Sequence, residues 1–247
     1  MKRAISFFSL FFCLSWSLTV SAQTLSPDNN PEYHRLAGFK TLINQQFDHS
    51  RPIVRYILEE LESRQLPSSL AFVPMLESSF QPDAVSPANA AGLWQLMPAT
   101  AQRYGLTVNQ HKDERFNLSR STHAAISYLA FLYQKFHHNL SLTLAAYNAG
   151  EGRVERSLQE NKRFTELKLP EETIRYVHRF HALLDLVDLS RFSSGSHSMS
   201  PIIRLNNTAA APLIPMQTRE TQRLQQLFAK RTTINTDHIQ PLVRLNL

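Results

Sequence analysis

LAFVPMLESSFQPDAVSPANAAGLWQLMP, residues 70–98, begins with an apolar run that ends in an acid, Glu77. In a helix, Glu77 follows Val73 by four positions and Leu70 by seven, so its carboxyl lies at the end of the apolar stripe. Loss of hydration there favours the neutral carboxyl, which can hold and donate a proton near neutral pH. Glu77 is therefore a candidate general acid. The alternative is a glutamate that only ends a helix and turns to solvent.

The second half of this stretch has the composition of a loop followed by a short apolar segment. Pro82 and Pro87 break regular structure. Trp94 stands next to Gln95 and is the only tryptophan after the first 22 residues. A proton donor, an aromatic stacking surface and an oriented amide are parts that sugar-binding sites use. Trp94 fits a hydrophobic core equally well.

Residues 1–22 have the pattern of a secretory signal peptide. Lys2 and Arg3 precede an apolar body, and small residues precede the expected cleavage site. The alternative is an uncleaved membrane anchor. Cys13 is the only cysteine and lies inside this leader, after Phe12, which is too bulky for a lipoprotein signal. We therefore expect a periplasmic protein that is not a lipoprotein and has no disulfide.

The charge of the chain is mildly basic. Removal of Lys2 and Arg3 lowers the formal net charge from +6 to +4. This excess suits an anionic envelope polymer and permits peripheral association with the envelope. Because no basic run with interleaved aromatic residues occurs, we expect no nucleic-acid partner. The sequence does not define an oligomeric state.

The chain predicts an all-helical fold. It contains only six glycines, and strand-like alternation is hard to find between them. Pro74 is predicted to kink the helix that carries Glu77, and residues 23–31 to form a flexible leader. The predicted helices span residues 33–47, 52–65, 67–77, 99–104, 121–136 (capped by Ser121 or Thr122), 140–149, 151–159, 170–189 and 216–231.

Two features outside these helices have competing interpretations. Asp113, Glu114 and Arg115 form either a solvated charge cluster or a tie that holds their loop. His178 and His181 are three positions apart on a predicted helix, but no third ligand stands at a metal-like spacing. We therefore expect no metal and no organic cofactor.

Four blocks together resemble the catalytic domain of lytic murein transglycosylases of the membrane-bound D type. They are ESSF at 77–80, AAGLWQLMPATA at 90–101, AAYNAGEGRV at 145–154 and LPEETIRYV at 169–177. The segment at 113–133 also resembles that family. The resemblance implies a lysozyme-like helical domain, related to goose-type lysozyme, with a substrate cleft. Together with the residue patterns, it divides the chain into four segments: a signal peptide (1–22), a leader with a first helix (23–48), the catalytic domain (49–192) and a Ser-rich linker with a tail (193–247).

The same resemblance assigns the site residues. Its catalytic acid corresponds to Glu77, and its substrate-binding residues correspond to Ser86, Gln95, Tyr147, Asn148 and Tyr176. Tyr147 is expected to hydrogen-bond Glu77, while Ser86 and Gln95 hold either the acetamido sugar or the acid. Asn148 is an equally good helix-end cap, and Tyr176 either lines the cleft or packs in the core.

This chain departs from the family pattern at three places. Asn89-Ala90 stands where the family commonly has Gly-Ala, and Asn tolerates a positive φ better than most residues. Other transglycosylase branches have Met where Trp94 stands, whereas the D type has Trp. Residues 201–247 contain no recognisable LysM repeat, so wall targeting by such a module is in doubt.

The resemblance implies one reaction on peptidoglycan glycan strands. Glu77 protonates the oxygen between N-acetylmuramic acid and N-acetylglucosamine and then accepts the proton of the 6-hydroxyl that attacks C1. Only one acid is needed, whereas most glycoside hydrolases use two. Asp83 is the nearest second carboxyl and reads as a solvated turn residue. The alternatives are a hydrolytic muramidase or chitinase of the same fold, and a non-catalytic wall-binding protein. Endo or exo preference stays open.

Overall fold

The computed structural model describes residues 27–160, 167–193 and 226–228. These ranges are helical and contain no named β-strand, which confirms the all-helical prediction. No helix within them is long and apolar enough to cross a membrane. The α-helices are α1 (Pro31–Ala37), α2 (Lys40–His49), α3 (Arg51–Ser63), α4 (Val73–Ser78), α5 (Pro98–Arg103), α6 (Leu118–Lys135), α7 (Leu140–Ala149), α8 (Glu151–Glu160) and α9 (Glu171–Leu186).

The first described residues are folded against the last long helix. Asn30 is fully buried, and its side-chain oxygen accepts the Glu32 amide at the start of α1. Its side-chain nitrogen donates to the His178 carbonyl at 2.8 Å. The prediction of a flexible leader is therefore wrong for residues 27–31, because a polar segment is ordered here by capping and by a buried contact. Residues 23–26 lie outside the described ranges.

Two helices replace the single one predicted at 33–47. The break comes after Ala37, where Gly38 ends α1 and Phe39 precedes α2. Ile43 and Phe47 of α2 are fully buried in the same hydrophobic core as the helices that follow. Their periodicity continues across the break, which is why the sequence pattern suggested one helix.

Buried phenylalanines surround Phe47 at the centre of the core. Its ring lies 5.5 Å from Phe72 and 5.0 Å from Phe80, both edge to face, and 6.1 Å from Phe192. Edge-to-face pairs add about 0.5–1.5 kcal/mol to the burial of apolar area. Because Phe72 and Phe80 flank α4, this packing fixes the position of the helix that carries Glu77.

Pro74 starts a helix instead of kinking one. A 3-10 helix at Ser68–Phe72 precedes α4, and Pro74 is in the first turn of α4. Proline is tolerated there because the amides of a first turn have no partner within the helix. The predicted kink is therefore wrong, and α4 is a separate short helix with its own axis.

A buried ion-pair network joins α1 to α9. Arg179 donates to Glu32 at 2.9 Å and to Glu172 at 3.2 Å, and all three side chains are at least 90% buried. Loss of one partner would leave an uncompensated buried charge, which typically costs about 3–5 kcal/mol. The network therefore holds α9, the helix of Tyr176, in a fixed position against α1.

Helix α6 begins before the predicted caps, Ser121 and Thr122. Its N-cap is Asn117, whose side-chain oxygen accepts the Arg120 amide at 3.0 Å. Ser121 and Thr122 are buried inside the helix. Asparagine caps a helix as well as serine or threonine does, so the sequence offered several possible starts.

The C-terminal part of the chain is described only at residues 226–228. These three residues are helical, and Phe228 is 5% exposed within the main hydrophobic core. The rest of the helix predicted at 216–231, and the linker after Ser193, lie outside the described ranges. Part of the tail therefore packs on the domain.

The buried His181 side chain should make the stability of the folded protein sensitive to acid. Burial, assisted by the charge of His178, lowers the pKa of His181 to about 4. Its Nε2 lies 2.9 Å from the Ser141 hydroxyl, and its buried Nδ1 has no hydrogen-bond partner among the described residues. The unfolded chain, with a pKa near 6.5, binds a proton that the folded protein does not, so stability should fall by up to about 3 kcal/mol between pH 6.5 and 4.

Urea unfolding at pH 7 and at pH 4.5 measures this effect. His181→Asn should flatten the fall in stability over that window, because the buried group no longer titrates. Exposed His111 provides a matched control, and His111→Gln should leave the fall unchanged. Equal pH dependence in the wild type and His181→Asn would contradict the prediction.

Candidate functional site

Glu77 is the second-to-last residue of α4 and is half-buried. The chain turns sharply after it, because Ser79 and Phe80 both adopt positive φ angles, 52° and 62°. Their amides donate to the carbonyls of Met75 and Pro74, which closes the end of the helix. The carboxyl therefore projects from a fixed helix end beside a tight turn.

Tyr176 of α9 brings a hydroxyl to this carboxyl. Its Oη donates to Oε1 of Glu77 at 2.9 Å, and the tyrosine itself is 4% exposed. A buried donor orients the carboxyl group and occupies one of its oxygens. Two residues that the resemblance singled out, 99 positions apart in the chain, are thus in direct contact.

Tyr147 of α7 contacts the loop beside Glu77. Its hydroxyl donates to the Trp94 carbonyl at 2.8 Å, and its ring packs 5.5 Å from the ring of Tyr128. Tyr147 is half-buried. It therefore supports the segment that carries Gln95, and its expected bond to Glu77 stays a prediction.

Trp94 belongs to the core and does not form a sugar-stacking surface. It is fully buried, and its indole nitrogen donates to the Thr122 hydroxyl at 3.0 Å. Of the two interpretations that the sequence left open, the structure supports core packing. A buried tryptophan needs a partner for its N–H, and Thr122 provides it.

Gln95 holds the loop in shape. It is 7% exposed, and its side-chain nitrogen donates to the carbonyls of Ala84 and Gly92, each at 2.9 Å. Both donors of this amide group are therefore used within the protein. The expected contact of Gln95 with a sugar or with the acid stays a prediction, and only the side-chain oxygen is suited to it.

Ser86 and Asn89 shape the tip of the same loop. Ser86 Oγ accepts the Ala90 amide at 3.0 Å, and an accepting hydroxyl keeps its own hydrogen as a donor. Asn89 has a φ of 62°, which confirms that asparagine accommodates a positive φ where the family commonly has glycine. The loop thus retains its turn without that glycine.

Asn148 links α7 to α9. Its side-chain oxygen accepts the Thr173 hydroxyl at 2.9 Å, and Thr173 is fully buried. Because this bond joins the end of α7 to the start of α9, Asn148 connects the helices of Tyr147 and Tyr176. Gly150, not Asn148, is the C-cap of α7.

The acidic and basic cluster at 113–115 is a tie, not a solvated surface. The Glu114 side chain is only 4% exposed and receives Lys112 at 2.6 Å, Arg120 at 2.8 Å and the Thr107 amide at 2.7 Å. The hydrogen bond from Lys112, with the other donors, lowers the pKa of Glu114 to about 2. The carboxyl therefore stays charged at any pH where the protein would work, and it pins the loop before α6.

Asp83 is exposed, whereas Glu77 is half-buried. Asp83 is therefore in contact with solvent. Within the described residues, no group of three or more His, Cys, Asp or Glu side chains could hold a metal ion.

The fold and the site define a class of protein: an all-helical domain in which a half-buried glutamate beside a loop accepts a hydrogen bond from a tyrosine. Residues 56–169 match the family model described as the transglycosylase SLT domain. Over 163 residues the chain is 37% identical to membrane-bound lytic murein transglycosylase D of Escherichia coli strain K12. This match covers 62% of the chain and 36% of that relative.

Other lytic transglycosylases are also similar to part of the chain. Soluble lytic murein transglycosylase of Escherichia coli strain K12 is 29% identical over 57% of this chain and 23% of its own length. The solved structure of an inactive mutant of lytic transglycosylase Slt from Pseudomonas aeruginosa overlaps 52% of this chain and 23% of that one, with 28% identity and a TM-score of 0.45. The chain thus spans about a third of the length of its curated D-type relative.

Proposed function

We propose that this protein is a peptidoglycan lytic transglycosylase with Glu77 as its single acid and base. The observation that carries the proposal is the 2.9 Å hydrogen bond from Tyr176 to Oε1 of Glu77, which is half-buried and lies within the residues that match the SLT family model. One carboxyl, oriented in this way, has the geometry of a proton shuttle.

The proposed reaction cleaves the β-1,4 bond between N-acetylmuramic acid and N-acetylglucosamine. Glu77 donates its proton to the bridging oxygen as the bond from C1 to that oxygen breaks. The 6-hydroxyl of the same muramic acid attacks C1, and its proton returns to the Glu77 carboxylate. The product is a 1,6-anhydromuramoyl end, and no water is consumed. Because the nucleophile is tethered to the reacting sugar, the step gains from proximity.

Four further residues support the position of the sugar in this proposal. Ser86 is half-buried on the loop beside Glu77, and its hydroxyl hydrogen is available to a ligand. Gln95 offers its side-chain oxygen, while Tyr147 and Asn148 hold the loop and α9 through Trp94 and Thr173. We propose that Ser86 and Gln95 contact the acetamido sugar, and that Tyr147 and Asn148 support the cleft.

We propose that the protein acts in the periplasm on glycan strands. The pattern of residues 1–22 supports export, and the formal charge of +4 that remains without Lys2 and Arg3 supports peripheral attraction to an anionic wall polymer. A lysozyme-like cleft, as the family resemblance implies, would suit a single glycan strand.

Product analysis tests the proposed function. Purified sacculi incubated with the full chain should release fragments with 1,6-anhydro ends, detected by mass spectrometry as a loss of one water relative to reducing ends. Reducing ends alone would indicate a hydrolase of the same fold. Binding without released fragments would indicate a non-catalytic wall-binding protein, and either result would contradict the proposal.

Asp83→Asn distinguishes a transglycosylase from a hydrolase in the same assay. A hydrolase that used Asp83 as its second carboxyl should lose activity in Asp83→Asn, whereas the self-attack of the sugar needs no second acid. We expect Asp83→Asn to retain the wild-type rate, since the residue is exposed.

A further inference from the structure

We propose that Arg115 is a positioning residue that clamps the loop at residues 84–96, here named the site loop, and thereby sets the geometry of Glu77. The inference rests on the proposed function. Arg115 lies 38 positions after Glu77 and belongs to a different segment, the 3-10 helix Glu114–Phe116 that precedes α6. It acts through the site loop and is not proposed to touch substrate.

The guanidinium of Arg115 binds the site loop at two points. Nη1 donates to the Asn89 carbonyl at 2.6 Å and to the Leu96 carbonyl at 3.1 Å. Asn89 is at the tip of the loop and Leu96 at its end, so one rigid group spans the segment that contains Gln95. Arginine suits this task because its planar donors hold several acceptors in a fixed arrangement.

Asp113 orients that guanidinium from the other side. Its carboxylate accepts Nε at 2.9 Å and Nη2 at 2.6 Å, a bidentate pair that is shielded because the Arg115 side chain is only 4% exposed. The bond from Arg115 holds the pKa of Asp113 below its usual range. A bidentate pair of this kind adds geometric specificity as well as energy.

The main chain of Arg115 also meets the site loop. A side chain at Gly92 would collide with the Arg115 carbonyl, so the two backbones approach closely. Gly92 in turn donates its amide to the Ala84 carbonyl at 2.8 Å. The site loop therefore contacts the Arg115 backbone at Gly92. On either side of Gly92, at Asn89 and Leu96, its carbonyls accept hydrogen bonds from the Arg115 guanidinium.

The site loop also contacts the end of α4, next to Glu77, and Tyr147 of α7. Ser78, the neighbour of Glu77, donates its hydroxyl to the Leu93 carbonyl at 2.8 Å. Tyr147 donates to the Trp94 carbonyl. A displacement of the loop would therefore move the end of α4 and the Tyr147 hydroxyl together. A misplacement of about 1 Å is enough to cost on the order of 100-fold in rate.

Kinetics of Arg115→Met on soluble glycan oligomers test the clamp. Methionine fills similar space without donors, so we expect kcat to fall about 10- to 100-fold while KM changes much less. Arg115→Lys keeps the charge but presents a single point donor, so its kcat should lie between those of the wild type and Arg115→Met. Rates are compared at a temperature where circular dichroism shows each variant fully folded.

Arg64→Met is the matched control. Arg64 also carries one charge and binds side chains, namely the Ser127 hydroxyl and the His123 ring, both at 2.7 Å, but it is the C-cap of α3 and these two partners lie on α6. Its kcat should equal that of the wild type. If Arg115→Met does not fold, Asp113→Asn weakens the same guanidinium contact and should lower kcat in the same direction by a smaller factor. Wild-type kcat in a folded Arg115 variant overturns the proposal.

A second readout separates this proposal from the proposed function. In a Trp16→Phe background, Trp94 is the only tryptophan and reports on the site loop directly. Acrylamide should quench Trp94 more strongly in Arg115→Met than in the wild type, and no more strongly in Arg64→Met. Increased quenching with no anhydro product from the wild type would retain the clamp and reject the function. Unchanged quenching would reject the clamp whatever the activity.

Discussion

Glu77→Gln should reduce the formation of anhydro ends by about 1000-fold or more, because the amide neither donates nor accepts the transferred proton. The change preserves the shape of the side chain, and the amide oxygen still accepts the Tyr176 hydroxyl that now binds Oε1. The free energy of unfolding should therefore stay close to that of the wild type. Mass spectrometry of sacculus digests and urea unfolding measure the two quantities.

Glu155→Gln provides the matched control for this loss of charge. Glu155 is a half-buried glutamate on α8 whose carboxylate pairs with Lys135 at 2.9 Å. Its replacement should leave the rate unchanged, since a solvent-accessible pair of this kind contributes little. Full activity of Glu77→Gln would show that another group shuttles the proton. Equal glycan binding by Glu77→Gln and the wild type, without activity in either, would instead support the non-catalytic alternative.

Much of the helical fold could be predicted from local patterns. The apolar run from Leu140, bounded by Asn139 and Gly150, gave α7 the bounds that the structure has. The start of a helix was harder to predict where several possible N-cap residues stood together, as before α6, whose N-cap is Asn117. The N-terminal polar segment was misjudged because its composition suggests disorder, whereas Asn30 is ordered by a backbone carbonyl 148 positions away. Local composition carries no information about such a partner.

The candidate site, too, could be predicted from the sequence only in part. The position of Glu77 at the end of an apolar stripe marked it as an acid, and the resemblance supplied Tyr176. Their contact depends on the tertiary packing of α4 against α9, which no sequence spacing reveals. Gln95 illustrates the opposite limit. The resemblance assigned it a ligand role, but the structure shows both its donors bound to the carbonyls of Ala84 and Gly92.

Arg115 was visible in the sequence only as part of a charge cluster. A cluster of charges next to a predicted helix is usually solvated. Nothing in the local pattern indicates that the Arg115 side chain is only 4% exposed. Its acceptors are main-chain carbonyls of another segment, and a carbonyl leaves no signature in a sequence. Gly92 was the indirect signal, since a glycine inside an apolar block often marks a close approach of two backbones.

Gly92→Ala should destabilise the protein by about 3 kcal/mol or more and should abolish cleavage of glycan strands. Two causes combine at this position. The φ of Gly92 is +78°, which an L side chain adopts only with strain, and the added Cβ would collide with the Arg115 carbonyl. Relief of that collision requires the site loop to move away from Arg115, which also moves the Trp94 and Leu93 carbonyls that Tyr147 and Ser78 contact.

Gly105→Ala separates these two causes. Gly105 has a similar φ of +84°, but nothing lies within 4 Å of a Cβ built there. It should therefore cost only the conformational strain, about 1–2 kcal/mol, and retain full activity. Urea unfolding and anhydro-end release from both variants give the comparison. If Gly92→Ala costs no more than Gly105→Ala and stays active, the close contact with Arg115 does not constrain the loop. If Gly92→Ala alone is inactive while still folded, the geometry of Glu77 depends on a backbone contact made by a different segment of the chain.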